Sequence, residues 1–122
     1  MKDILNAKFD IEDMGAIFFC LGIDILYNQD KRVIHFSQQG YISQILERFH
    51  MASCYPTSTP MEGLSHLSNL HNKGDTVNFP YRSLIGSLMY ATICTRPDIS
   101  FATNKLSQFL ENPNITQWKA AK

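Results

Sequence analysis

The side chains best suited to covalent or metal chemistry are scattered along the chain. Glu12 and Asp13 are the only adjacent acids, and they stand in a polar turn ahead of Gly15. A two-metal site needs carboxylates converging from rigid elements onto one phosphate, which turn acids do not supply. Cys20, Cys54 and Cys94 are three widely spaced cysteines, a pattern that argues against a disulfide framework and for a reducing compartment. His35, His50, His66 and His71 form no His-x3-His pattern and the cysteines no Cys-x2-Cys pattern, so a structural zinc site has little support. No serine lies in a nucleophile-elbow context, and His50 near Cys54 in sequence establishes no geometry. Arg96, in Thr-Arg-Pro-Asp, could clamp Asp98 or a helix carbonyl and could equally meet a phosphate. The structural role is favoured, since a proline-broken helix junction leaves carbonyls to satisfy. Gln38 and Gln39 open a helix whose free amides and dipole suit an anion, or else simply cap and pack it. Tyr41 beside them is read as packing.

These residues are carried by an α+β arrangement. Ile4, Leu5 and Phe9 share a helical face over residues 1–9. Residues 16–27 read as a strand and 32–36 as a second, joined by the polar stretch 28–31 into an antiparallel hairpin. Such a hairpin is marginal alone and must pack on something else. Lys31 and Arg32 fall at its tip, where charge by itself often only solubilises. Ser37 is the expected N-cap of a helix bearing Tyr41, Ile42, Ile45, Leu46 and Phe49 on one stripe. Residues 52–80 read as an irregular linker in which Leu64, Leu67 and Leu70 recur every third position. Pro80 opens the next helix, striped by Leu84, Ile85, Leu88, Met89 and Ile93, with Gly86 allowing another backbone close. Arg82 and Arg96 flank it. Pro97 breaks it, and Ile99, Ala102, Leu106 and Phe109 or Leu110 form the buried face of its successor. Tyr90 and Phe101 are read as packed rather than as base-stacking platforms. Thr116 begins a last helix that holds Trp118.

A chain of 122 residues, 44% hydrophobic, fits one domain with a modest core. Zero formal net charge and a pI near 6.9 weigh against a dedicated nucleic-acid module, which usually carries a basic excess. No apolar run approaches the roughly 18–20 residues of a membrane span, and Met-Lys-Asp does not begin a signal peptide, so the chain reads as soluble and intracellular.

Tyr81 to Phe109, YRSLIGSLMYATICTRPDISFATNKLSQF, resembles a segment from the polymerase region of copia-type retrotransposon polyproteins. FCLGIDI at 19–25, IHFSQQGYISQILERF at 34–49, STPM at 58–61 and NPNITQWKAAK at 112–122 extend the resemblance nearly end to end. Gly40 departs from it, standing where the family suggests lysine or arginine.

The resemblance implies the C-terminal part of a reverse transcriptase, with the end of the palm and a primer-grip-like hairpin over 1–51, a linker over 52–80, and a thumb-like or connecting helical segment over 81–122, cut short so that Trp118 lacks partners. It implies that the Tyr-x-Asp-Asp turn precedes Met1 and that Mg2+ serves the complete parent enzyme, with no cofactor in this chain. The implied partners are an RNA/DNA template-primer duplex and the parent's missing fingers, palm and RNase H regions, with no membrane. Lys31, Arg32, Gln38, Arg82 and Arg96 become the candidate nucleic-acid contacts, their effect independent of sequence and sensitive to salt. The alternative is a non-catalytic relic or interaction module whose apolar surfaces bind protein.

Overall fold

The computed structural model describes residues 2–12, 15–61, 67 and 79–122. Its elements are helix α1 (Lys2–Asn6), strands β1 (Phe19–Cys20), β2 (Ile23–Asn28) and β3 (Val33–Ser37), then helices α2 (Gln39–Arg48), α3 (Tyr81–Cys94), α4 (Ser100–Ser107) and α5 (Ile115–Ala121). The α+β class expected from the hydrophobic patterning is present.

The expected hairpin is a three-stranded antiparallel sheet, in the order β1-β2-β3. The apolar run 16–27 does not form one strand. It folds back at Leu21 and Gly22, whose φ angles of 52° and 76° bring Cys20 opposite Ile23. Positive φ at both central residues is the hairpin geometry that follows the natural twist of paired strands. Between β2 and β3 the pairs run from Asp24 opposite Ser37 to Asn28 opposite Val33. Directly paired residues share a face, so Ile25 lies with Phe36, and Leu26 with His35.

The expected cap shifts by one position. Ser37 ends β3, and Gln38 occupies the N-cap position of α2 without a capping side-chain bond. The Ser37 hydroxyl still accepts a hydrogen bond from the Gln39 amide at 3.3 Å. At the other end His50 takes φ 57°, its amide donates to the Glu47 carbonyl and that of Met51 to the Leu46 carbonyl. That pair of bonds closes α2 in a Schellman motif and satisfies carbonyls the helix leaves open.

The core lies among the helices. Leu67, Tyr81, Ile85 and Leu106 form one buried cluster, while Ile45, Phe49 and Leu84 form a second; Leu88, Trp118 and Ala121 pack against both. Tyr81, at 1% exposure, donates its hydroxyl to the Leu106 carbonyl at 2.8 Å and so ties α3 to α4. Burial pushes the Tyr81 phenol up to about 12. The break expected at Pro97 is a single 3-10 turn, Pro97–Ile99, between α3 and α4.

Three packing expectations differ. Trp118 has partners: it stacks on Phe79 at 5.0 Å between ring centroids and meets Phe49 edge-on at 6.2 Å. Asn114 orients its helix through a complete capping box with Gln117, which itself donates to the Leu67 carbonyl. Ile93 and Phe101, expected in packed stripes, are exposed at 80% and 61% because α3 and α4 bury their opposite sides against each other and α5. The N-terminal helix stops at Asn6, and Ile4, Leu5 and Phe9 are exposed. Of the leucine repeat in the linker, Leu67 is buried in the core, whereas Leu64 and Leu70 lie outside the described residues, as do His66, His71 and Asp13.

Candidate nucleic-acid interface

Lys31 and Arg32 sit in the exposed loop between β2 and β3. Their position is set locally. The Asn28 side-chain oxygen accepts from the Lys31 amide at 3.0 Å, and the Arg32 amide donates to the Gln29 carbonyl at 3.3 Å. Arg32 adopts φ 51°, a left-handed conformation that a non-glycine residue holds at some cost. The loop therefore presents two adjacent cations on a defined turn.

The opposite end of β3 leads into the N-terminus of α2. Seven residue steps lead from Lys31 to Gln38, a contour of roughly 20–25 Å at about 3.3 Å per residue in an extended chain. The first turn of α2 holds no acid, and Gly40 is exposed, with open space around the position a Cβ would take. An acid-free helix start presents outward amides and the positive end of the dipole, which together suit a phosphate oxygen.

Gln38 itself points inward. It is 2% exposed, and its Oε1 accepts a hydrogen bond from the Thr95 hydroxyl at 2.7 Å, while Nε2 has no hydrogen-bond partner. Its side chain fixes the start of α2 against the end of α3 rather than facing solvent. Thr95 escaped the sequence reading; its only signal was its place beside Arg96. A second such link is the Tyr90 hydroxyl, which donates to the Leu21 carbonyl, while the Tyr90 ring meets Tyr41 edge-on at 5.0 Å. These contacts position the sheet and α2 relative to α3.

Arg96 is engaged by Asp98. Its Nε donates to Oδ1 at 2.9 Å and its Nη2 to Oδ2 at 2.8 Å, with both side chains about half exposed. The pairing holds the Asp98 carboxyl below its ordinary value, chiefly through the hydrogen bonds from Arg96, and raises the guanidinium in turn. Arg96 follows Thr95, so this pair borders the α2 start. Arg82 lies elsewhere: its Nε donates to the Leu110 carbonyl at 3.2 Å, beside a shallow groove that includes Gly86, Met89 and Glu111. The structure thus joins Gln38 to the Arg96 junction, leaves Lys31 and Arg32 at the far end of the hairpin, and sets Arg82 on the outer side of α3.

Among the described residues no three His, Cys, Asp or Glu side chains form a group that could hold a metal ion. Nor is any helix among them long and apolar enough to cross a membrane.

Residues 1–63 match the family model of the reverse transcriptase (RNA-dependent DNA polymerase). The chain belongs to this reverse transcriptase family. Its retrotransposon relatives include the Retrovirus-related Pol polyprotein from transposon TNT 1-94 of Nicotiana tabacum, 41% identical over 100% of this chain and 10% of the relative. The corresponding polyprotein from transposon RE1 of Arabidopsis thaliana is 37% identical over 98% of this chain and 8% of its own length. An uncharacterized mitochondrial protein of Arabidopsis thaliana is 33% identical over 97% of this chain and 48% of its own length. This reverse transcriptase segment therefore spans a tenth or less of the two Pol polyproteins. No solved structure matches it.

Proposed function

We propose that this reverse transcriptase segment binds the backbone of an RNA/DNA template-primer duplex and helps hold it for a catalytic palm located elsewhere in a copia-type polyprotein. The observation that carries the reading is the β2–β3 hairpin, with Lys31 and Arg32 fixed at its tip and an acid-free helix start at its base. A strand of duplex DNA offers a phosphate about every 3.4 Å, so a hairpin of this length lies alongside several phosphates. Cations at the tip and amides at the base would then fix register without reading bases. Arg82 keeps donors beyond the one given to Leu110 and adds a further phosphate contact, whereas Gln38 acts by positioning α2. Arg96, held by Asp98, contributes only where a phosphate displaces that carboxylate. In this reading residues 1–51 are the end of the palm with its primer grip, and 81–122 are thumb-like. The Mg2+ chemistry belongs to the parent enzyme.

Filter binding of an RNA/DNA hybrid at low and moderate salt tests the proposal. Affinity should fall steeply with salt, and replacing both Lys31 and Arg32 by alanine should reduce the slope of log affinity against log salt by about 1.8 if each neutralises one phosphate. Absence of binding at both salt concentrations removes the nucleic-acid role for this chain.

A second reading is favoured by the sheet, where Phe19, Leu26, Ile34 and Phe36 are all more than half exposed. The register puts Phe19 and Leu26 on one face of the sheet and Ile34 and Phe36 on the other, and exposed apolar side chains on both faces suit a module that binds protein or self-associates. Light scattering separates the two: a clean monomer without apolar dye binding counts against the second.

A further inference from the structure

The outer strand of the sheet is β3, and Val33 to Phe36 along it are all exposed. The register decides which of its backbone groups point outward. The tight Leu21–Gly22 turn sets Cys20 against Ile23, and the Ile25 amide donates to the Phe18 carbonyl, so Ile23, Ile25 and Tyr27 aim their amides and carbonyls to the β1 side. Asp24, Leu26 and Asn28 then bond β3 through Ser37, His35 and Val33. Ile34 and Phe36 are left with an amide and a carbonyl each facing away from the sheet. Among the described residues no backbone hydrogen bond outside the sheet reaches either of them. The strand also lacks the devices that blunt an edge: Val-Ile-His-Phe-Ser holds no proline and no lysine or arginine, and its pairing with β2 runs unbroken from Val33 to Ser37. At the opposite edge β1 has only two residues.

We propose that β3 is the seam of a homodimer, in which two copies of this chain pair edge to edge, antiparallel, about a two-fold axis at His35. A second copy fits because the strand is complementary to itself. With Ile34 opposite Phe36 of the second copy, all the outward amides and carbonyls of both strands are joined, and no other antiparallel alignment within β3 achieves this. The same alignment continues the side-chain rows. On one face Tyr27 and Ile34 run on into Phe36 and Ile25 of the second copy, and on the other Leu26 and His35 meet their own counterparts. Lys31 and Arg32 fall opposite Gln39 and Gln38, so neither meets a like charge, and zero formal net charge leaves no long-range repulsion between copies. The three strands of each copy extend into one continuous sheet with Ile34 and Phe36, 52% and 59% exposed in the single chain, side by side at its centre. The pairing rests on the self-association reading and gives it a defined surface.

Sedimentation equilibrium of the full chain under reducing conditions tests the dimer. The weight-average mass should rise with concentration from 13.9 kDa toward twice that value. Ile34→Lys and His35→Lys each set like charges at the seam and should weaken association at least tenfold, whereas Ile93→Lys, at an 80% exposed position on α3, should leave it unchanged. The register has its own readout in a background carrying Cys20→Ser, Cys54→Ser and Cys94→Ser. The two copies of His35→Cys face each other at about 4.5 Å between Cα atoms, within disulfide reach. The two copies of Val33→Cys stand four residues out of register, roughly 14 Å apart, and cannot be bridged. Oxidised glutathione should therefore link His35→Cys into a dimer on a non-reducing gel at least tenfold faster than Val33→Cys. A chain that stays at 13.9 kDa at every concentration overturns both the seam and self-association. A dimer that persists in Ile34→Lys and His35→Lys, or equal linkage of the two cysteine variants, overturns the seam while leaving self-association standing.

Discussion

Replacing Tyr81 with phenylalanine isolates one buried contact between α3 and α4. The ring stays in the core with Ile85 and Leu106, and only the hydroxyl bonded to the Leu106 carbonyl is removed. That carbonyl also accepts from the Phe109 amide at 3.1 Å, so it is not orphaned by the change. The loss should therefore sit near an ordinary net hydrogen bond, about 1 kcal/mol, rather than the larger cost of a stranded buried acceptor. With a urea slope of about 2 kcal/mol/M this lowers the midpoint by about 0.5 M at neutral pH. Alkaline pH gives a second, independent readout. The folded chain holds the Tyr81 proton more tightly than the unfolded chain, with its value raised from 10.0 to about 12. That contribution is complete below pH 10 and is lost as pH rises through about 12. Tyr81→Phe lacks it, so the gap between wild type and variant in urea midpoint should shrink across this window, while titration of other groups affects both alike. A gap that stays constant from neutral pH to pH 12 refutes the placement of this phenol against Leu106.

Asn114→Ala removes both capping bonds to the amides of Thr116 and Gln117, and should cost about 1 kcal/mol in urea unfolding. Arg96→Ala should return the Asp98 carboxyl toward its ordinary value, an upward movement readable by carbon-13 NMR titration, because the guanidinium is the principal cause of its depression. A depressed carboxyl stabilises the fold above its unfolded value and loses that contribution as pH falls, so the variant should show a weaker acid-side decline. Ile85→Ala, at a fully buried position, should cost about 2–5 kcal/mol in the same urea assay, several times the effect of Tyr81→Phe.

The helical half was readable because Ile45, Phe49, Leu84 and Leu106 repeat at helical spacing and Pro97 stops a helix wherever it falls. The turn at Leu21 and Gly22 was hidden: an almost unbroken apolar run has no alternation to interrupt, and leucine at positive φ carries no local signal. Trp118 finds Phe79 and Phe49 in segments remote in sequence, which periodicity along one helix cannot reveal. The place of Lys31 and Arg32 in the loop between β2 and β3 was readable, since a polar turn is a local feature. For Gln38 the sequence left packing and anion contact side by side, because the partner that decides between them, Thr95, lies 57 residues away.

Chemical-shift mapping of the isotopically labelled chain with an RNA/DNA hybrid tests the central claim most directly. The duplex reading predicts salt-sensitive perturbations at Lys31, Arg32 and Arg82 and at the amides of Gly40 and Tyr41, largely independent of hybrid sequence. Unchanged spectra at low salt, or shifts confined to the exposed apolar residues of the sheet with none at the hairpin tip or α2 start, would contradict it.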